Sequence, residues 1–169
     1  LNTLSPAFLA MSPAGAIPVL KDGDLVISES LAINLYLAKT YGGDLGPGTA
    51  AEEALMLQWT LYGATMIEPD AVAVMYVYSE ARHDSEAGKA DLAQRRERLQ
   101  RPLRVLDAHL AAHGRMVGGR FTVADINMAE ILRYAANDPG LVAAFPALQG
   151  WLSACQARPA FQKMWALRL

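Results

Sequence analysis

Apolar positions divide the sequence into two unlike stretches, one short and mixed, the other long and helical in period. In residues 1–43 a helical start gives way to a turn rich in Pro and Gly, then to the apolar run Ile17-Pro18-Val19-Leu20. Lys21-Asp22-Gly23-Asp24 separates that run from Leu25-Val26-Ile27, and short apolar runs around an Asp-Gly pair predict an antiparallel hairpin. Ser28-Glu29-Ser30 then leads into residues 31–41, where Ile33, Leu37 and Tyr41 recur at helical spacing. Gly42 is expected to end this helix in the left-handed conformation. Residues 42–48 hold four glycines and a proline, suit no regular element, and predict a linker over 44–50.

The rest reads as helix. A pattern rich in Leu, Met and Ala runs over 51–81, with Pro69 expected to kink or divide it. A second helix over about 89–113 carries Leu92, Leu99, Leu103, Leu106 and Leu110 on one stripe, and Pro102 leaves its continuity open. Thr122-Val123-Ala124-Asp125 predicts a capping box, with Asp for the usual Glu or Gln and with Phe121 and Ile126 as a hydrophobic staple. Asp138-Pro139-Gly140 is expected to close that third helix. Two more follow over 145–157 and 159–166, started by Pro146 and Pro159. The fold class is therefore α/β plus all-α: a small partial domain over 1–43 and an all-helical C-terminal bundle over 51–169. A hairpin with one helix is marginal alone, so more sheet is expected ahead of Leu1.

Composition narrows the function. At 169 residues and 53% hydrophobic, the chain can bury one good core. A formal charge of −2 and a pI near 5.9 argue against an electrostatic nucleic-acid partner. Arg95, Arg96, Arg98, Arg101 and Arg104 cluster, but among Glu97 and Asp107, as on a solvated helix face. One cysteine, Cys155, cannot form an internal disulfide and fits a reducing compartment. No run of ~18 apolar residues predicts a membrane span, and the N-terminus does not read as a signal peptide.

Two short elements carry candidate chemistry. Pro18, ahead of an apolar strand, is either a strand-entry proline or part of a cis turn that exposes the backbone of Ile17 to a peptide-like ligand. Ser30, at a helix N-terminus, can cap the helix, and the free N–H groups there favour a carboxylate. Glu29 beside it could hold an ammonium group. Ser30 and Glu29 side by side would suit an α-amino-acid head; the plain alternative is a serine cap beside an incidental exposed Glu.

Ser5 to Leu20, then Asp22-Gly23-Asp24, Glu29-Ser30-Leu31-Ala32-Ile33 and Tyr36-Leu37, resemble the second half of a thioredoxin-like domain of the cytosolic glutathione transferase family. Phe121-Thr122-Val123-Ala124-Asp125-Ile126 is similar to the family's capping-box motif, and Arg158-Pro159-Ala160-Phe161 resembles its last-helix signature, so the likeness spans about Ser5 to Ala166. The resemblance implies a partial thioredoxin-like domain lacking its first β-α-β stretch, with glutathione as co-substrate and no metal. It implies that Ile17 meets the cysteinyl part of glutathione, that Pro18 is cis, and that Glu29 and Ser30 hold the γ-glutamyl head. It further implies a cytoplasmic homodimer that conjugates the glutathione thiol to small apolar electrophiles. An isomerase or peroxidase on the same fold, or a non-catalytic interaction domain, are the alternatives.

The chain departs from the family pattern in three places. Ala16 stands where many members carry a Lys for the glycyl carboxylate. Glu68 stands where the bacterial beta class has a His after a Trp like Trp59. The Ser, Cys or Tyr that activates the thiol is expected ahead of Leu1, so the catalytic residue is unknown. Met66, Ile67 and Trp165, with Met75, are candidates for an apolar substrate pocket. Tyr36, Tyr62, Tyr76 and Tyr78 read as packing residues. His109 and His113 share a helix face but lack the Glu and third ligand of a zinc protease.

Overall fold

The computed structural model describes residues 2–167. Its first part is short: α1 (Pro6–Leu9), β1 (Val19–Asp22), β2 (Leu25–Ser28) and α2 (Ser30–Tyr41). The strands pair antiparallel, from Val19 opposite Ser28 to Asp22 opposite Leu25. Gly23 takes φ +58° at the first of the two turn positions, where a Cβ would be strained, as in a type II′ hairpin turn. Tyr36 donates to Asp22 Oδ2 at 2.7 Å and Tyr41 donates to the same oxygen, tying the end of β1 to the end of α2. Its bond to the Asp22 carboxylate, more than burial, pushes the Tyr41 hydroxyl up to about 12. This part buries little: among its described residues Ser12, Ile33 and Ala38 are withdrawn from water.

Gly42 does not adopt the expected left-handed cap. Its φ is −84°, and Gly43 takes +53° as the chain enters a 3₁₀ turn (Gly43–Leu45) inside the predicted linker. The glycine-rich stretch thus holds a regular turn, and it is clasped from below. Arg120 donates to the carbonyls of Asp44 and Gly46 at 3.0 and 2.8 Å, and Gly48 N–H donates to Glu52 at 2.8 Å.

The helical part holds α3 (Ala50–Tyr62), a π-helical turn (Gly63–Ile67), α4 (Glu68–Ser79), α5 (Glu86–His113), α6 (Val123–Ala135), α7 (Pro139–Ala143), α8 (Pro146–Gln156) and α9 (Pro159–Trp165). The predicted break near Pro69 is the π turn, and Pro69 sits where its missing N–H costs nothing, in the first turn of α4. α5 runs unbroken for 28 residues through Pro102, whose carbonyl accepts from the Tyr62 hydroxyl at 3.2 Å. Its start depends on Gly88: a Cβ there would lie 1.9 Å from the Arg82 carbonyl oxygen. Asp138-Pro139-Gly140 does not merely close α6; Asp138 caps α7 and pairs with Arg96 at 2.6 Å.

α6 is the central element, packed against α2, α3, α4 and α8. Leu99, Leu103 and Leu106 of α5 meet Met128, Leu132 and Leu148 in a core that excludes water. The capping motif at its start reaches further than its own sequence. Asp125 Oδ2 accepts from the N–H and hydroxyl of Thr122 at 2.9 and 3.2 Å, and Oδ1 accepts from Trp151 Nε1 at 2.8 Å and Met116 N–H at 3.2 Å.

Candidate functional site

The chain reaches the site through a loop closed by its own side chains. Ser12, 1% exposed, donates to the carbonyl of Ala16 at 3.0 Å, and Gly15 takes φ +64° between them. The Ile17–Pro18 bond that follows is cis, and Ile17 is 64% exposed. Because Val19 pairs with Ser28, the ladder ends with Pro18 and Glu29 next to each other in register. Ile17, Pro18, Glu29 and Ser30 therefore come together at one end of the hairpin, all exposed.

Ser30 is not the cap that its position suggested. Glu29 is the N-cap residue, with φ 71° and ψ 111°, and Ser30 is the first residue of α2. No side chain caps this helix. The Glu29 carbonyl accepts the first helical bond, from Ile33 N–H at 2.9 Å. The N–H groups of the first turn, aligned with the helix dipole, are left to an outside acceptor such as a carboxylate. A positive φ at a glutamate is uncommon and concentrates at binding sites.

Asn127, 0% exposed, holds that first turn in place from α6. Its Oδ1 accepts from Asn34 Nδ2 at 2.8 Å, and its Nδ2 donates to the Leu31 carbonyl at 3.3 Å and to Thr60 Oγ1 at 3.2 Å. Sequence reasoning passed over Asn127. The available signal was a lone amide among Ile126, Met128 and Ala129 on a largely apolar helix.

Glu68 opens α4 and stands half-buried. Burial raises its carboxyl above the ordinary glutamate range, and the charge of Glu29 adds to the rise. The two carboxylates, one from each part of the chain, thus feel each other.

The expected apolar pocket does not form from its three residues. Ile67 is 0% exposed and belongs to the core, because the π turn directs it inward with Ala71 and Val74. Met66, its neighbour, is 51% exposed. Trp165 stacks on Phe161 and, with Arg133 and Gln162, lines a cavity of 520 Å³ beside α9. A second cavity of 260 Å³ lies between Phe121, Arg158 and Phe161 and reaches the buried Cys155, whose thiol burial pushes up to about 12. His109 turns its Nε2 to the carbonyls of Arg115 and Met116 at 3.2 and 3.0 Å. Among the described residues no group of three His, Cys, Asp or Glu side chains could hold a metal, and no helix is long and apolar enough to cross a membrane.

Residues 2–45 match the family described as glutathione S-transferase, N-terminal domain, and residues 69–159 that described as glutathione S-transferase, C-terminal domain. Glutathione S-transferase 3 of Zea mays is 38% identical over 165 residues, covering 94% of this chain and 74% of the maize protein. The solved structure of a glutathione S-transferase III in apo form is 39% identical, with a TM-score of 0.80 over 96% of this chain and 78% of its own. A glutathione transferase from Phanerochaete chrysosporium, solved in complex with oxidized glutathione, is 29% identical, with a TM-score of 0.78 over 97% of this chain and 78% of its own.

Proposed function

The chain belongs to the glutathione S-transferase family, and we propose that it holds glutathione along Ile17–Pro18 and Glu29–Ser30 and transfers it to small apolar electrophiles. The observation that carries this reading is the meeting of Pro18 and Glu29 at the end of the hairpin, directly before the uncapped start of α2. The backbone of Ile17 offers one donor and one acceptor to the cysteinyl amide. The γ-glutamyl carboxylate docks on the N–H groups and hydroxyl of Ser30, and Glu29 receives its ammonium. Ala16 has no charge to offer the glycyl carboxylate, so the far end of the tripeptide is held less firmly.

In the reaction the glutathione thiolate attacks an electrophilic carbon, a carbon–sulfur bond forms, and the leaving group departs with the bonding pair. The group that favours the thiolate is not assigned to a residue of this chain. Met66, exposed on the π turn, is the candidate contact for an apolar substrate. The finer reading also includes a homodimer in the cytoplasm. Leu57 and Leu61 of α3, 48% and 53% exposed one helical turn apart, support a self-association surface, and light scattering in solution tests it. One buried, unpaired thiol suits a reducing compartment.

Retention on immobilised glutathione is the primary test, and Ser30→Ala is expected to abolish it. Retention unchanged by Ser30→Ala would remove the proposed γ-glutamyl subsite. Binding of glutathione without turnover of any aryl halide would favour a binding module over an enzyme.

A further inference from the structure

The polar contacts between α2 and the helical bundle are few and unequal. Lys39 reaches Glu53 across open surface, with both side chains about half exposed (59% and 49%), and such a pair contributes little. Asn127 is different. Its amide is fully buried and satisfied, with two of its three bonds going to the first two turns of α2, at Leu31 and Asn34. The third goes to Thr60, itself 3% exposed, on α3.

A buried amide in this place stabilises less than an apolar side chain of the same shape would, because its desolvation offsets much of what its bonds return. What it adds is direction: the bonds are met in one placement of α2 only. Leu31 directly follows Ser30, so the same amide fixes where the Ser30 N–H and the Glu29 backbone point.

We propose that Asn127 is a positioning residue for glutathione, acting from inside the bundle by orienting the Glu29–Ser30 start of α2 through Leu31 and Asn34. This rests on the glutathione-binding reading given above. Asn127 touches no ligand. It makes the γ-glutamyl subsite depend on a side chain nearly a hundred residues further along the chain, on the helix at the centre of the fold.

The test uses Asn127→Leu, Asn34→Leu and the double variant, assayed with glutathione and a chloro-dinitrobenzene. The double variant spares Asn34 a stranded amide, leaving only the Thr60 hydroxyl and the Leu31 carbonyl without the Asn127 donor, and so keeps the test open if Asn127→Leu folds poorly. Each folded variant is expected to raise the KM for glutathione about three- to tenfold, the size of one or two lost neutral hydrogen bonds. The kcat at saturating glutathione and the KM for the aryl halide stay within about twofold, the pattern of lost uniform binding. Asp107→Ala, which removes the acceptor of Leu148 N–H on the α5–α8 side, lowers the melting temperature without changing the KM for glutathione. An unchanged glutathione KM in both Asn34→Leu and the double variant would overturn the proposal. So would an equal rise in Asp107→Ala, which would reduce the effect to general loosening. Failure of the unsubstituted protein to bind glutathione would overturn the underlying reading as well.

Discussion

Arg120 and Glu52 meet through two parallel hydrogen bonds of 2.7 Å, Nη1 to Oε1 and Nη2 to Oε2. Gly118 makes room for the pair, since a Cβ there would stand 2.4 Å from Arg120 Nη1 and 2.6 Å from Glu52 Oε1. The guanidinium bond is the main reason the Glu52 carboxyl falls to about 2, with the Gly48 N–H next. Because Arg120 also holds the Asp44 and Gly46 carbonyls, this pair joins the glycine-rich connection to the bundle.

The sign of the pH effect follows. A carboxyl whose pKa is lowered on folding adds stability above the ordinary glutamate range and loses it as pH falls toward the folded value. The denaturation midpoint should therefore decline as pH drops from the ordinary glutamate range toward about 2, more steeply than in Arg120→Ala. Carbon-13 titration of Glu52 in that variant should show its carboxyl moved up toward the ordinary range, with the Gly48 N–H still holding it below.

Glu68 runs the other way. Its carboxyl is raised by burial and then by Glu29, so its contribution is intact below the ordinary glutamate pKa and lost as pH rises through the folded value. Glu68→Gln should melt higher than the parent near neutral pH and alike in acid. Equal melting temperatures at both ends would deny the burial effect.

Asp125 should be costly to lose. Asp125→Ala strands the buried Trp151 Nε1 and the N–H groups of Met116 and Thr122. A loss of about 3–5 kcal/mol is expected in urea denaturation, the sum of a cap and unsatisfied buried donors.

Gly88 and Leu103 test the bundle at two kinds of position. Gly88→Ala drives a Cβ against the Arg82 carbonyl and should cost about 1–3 kcal/mol, since backbone must yield. Leu103→Ala empties a fully buried site and should cost about 2–5 kcal/mol. Chemical denaturation of both variants decides.

Local rules made much of this fold legible. The hairpin, the break near Pro69, the Thr122–Asp125 motif and the two proline-started helices are each set by neighbours within a few residues. What stayed hidden depends on distant partners. Nothing near Asp125 announces Trp151, and nothing near Asn127 announces Leu31 or Asn34. Ser30 looked like a cap because its chemistry suits one, yet Glu29 takes the positive φ that starts the helix and shifts Ser30 one place inward. Ile67 and Met66 are equally apolar in sequence, and only the π turn decides that one faces the core and the other water. The grouping of Ile17, Pro18, Glu29 and Ser30 was readable because a hairpin register brings its own ends together.

The placement of Cys155 has a practical side. It is the chain's one thiol, and it is 4% exposed. A cysteine introduced at Met66 would be the one fast-reacting nucleophile toward a maleimide dye or spin label under native conditions. Such a probe, seated on the π turn near Glu68, would report ligand arrival by its emission or line shape with no background labelling to subtract.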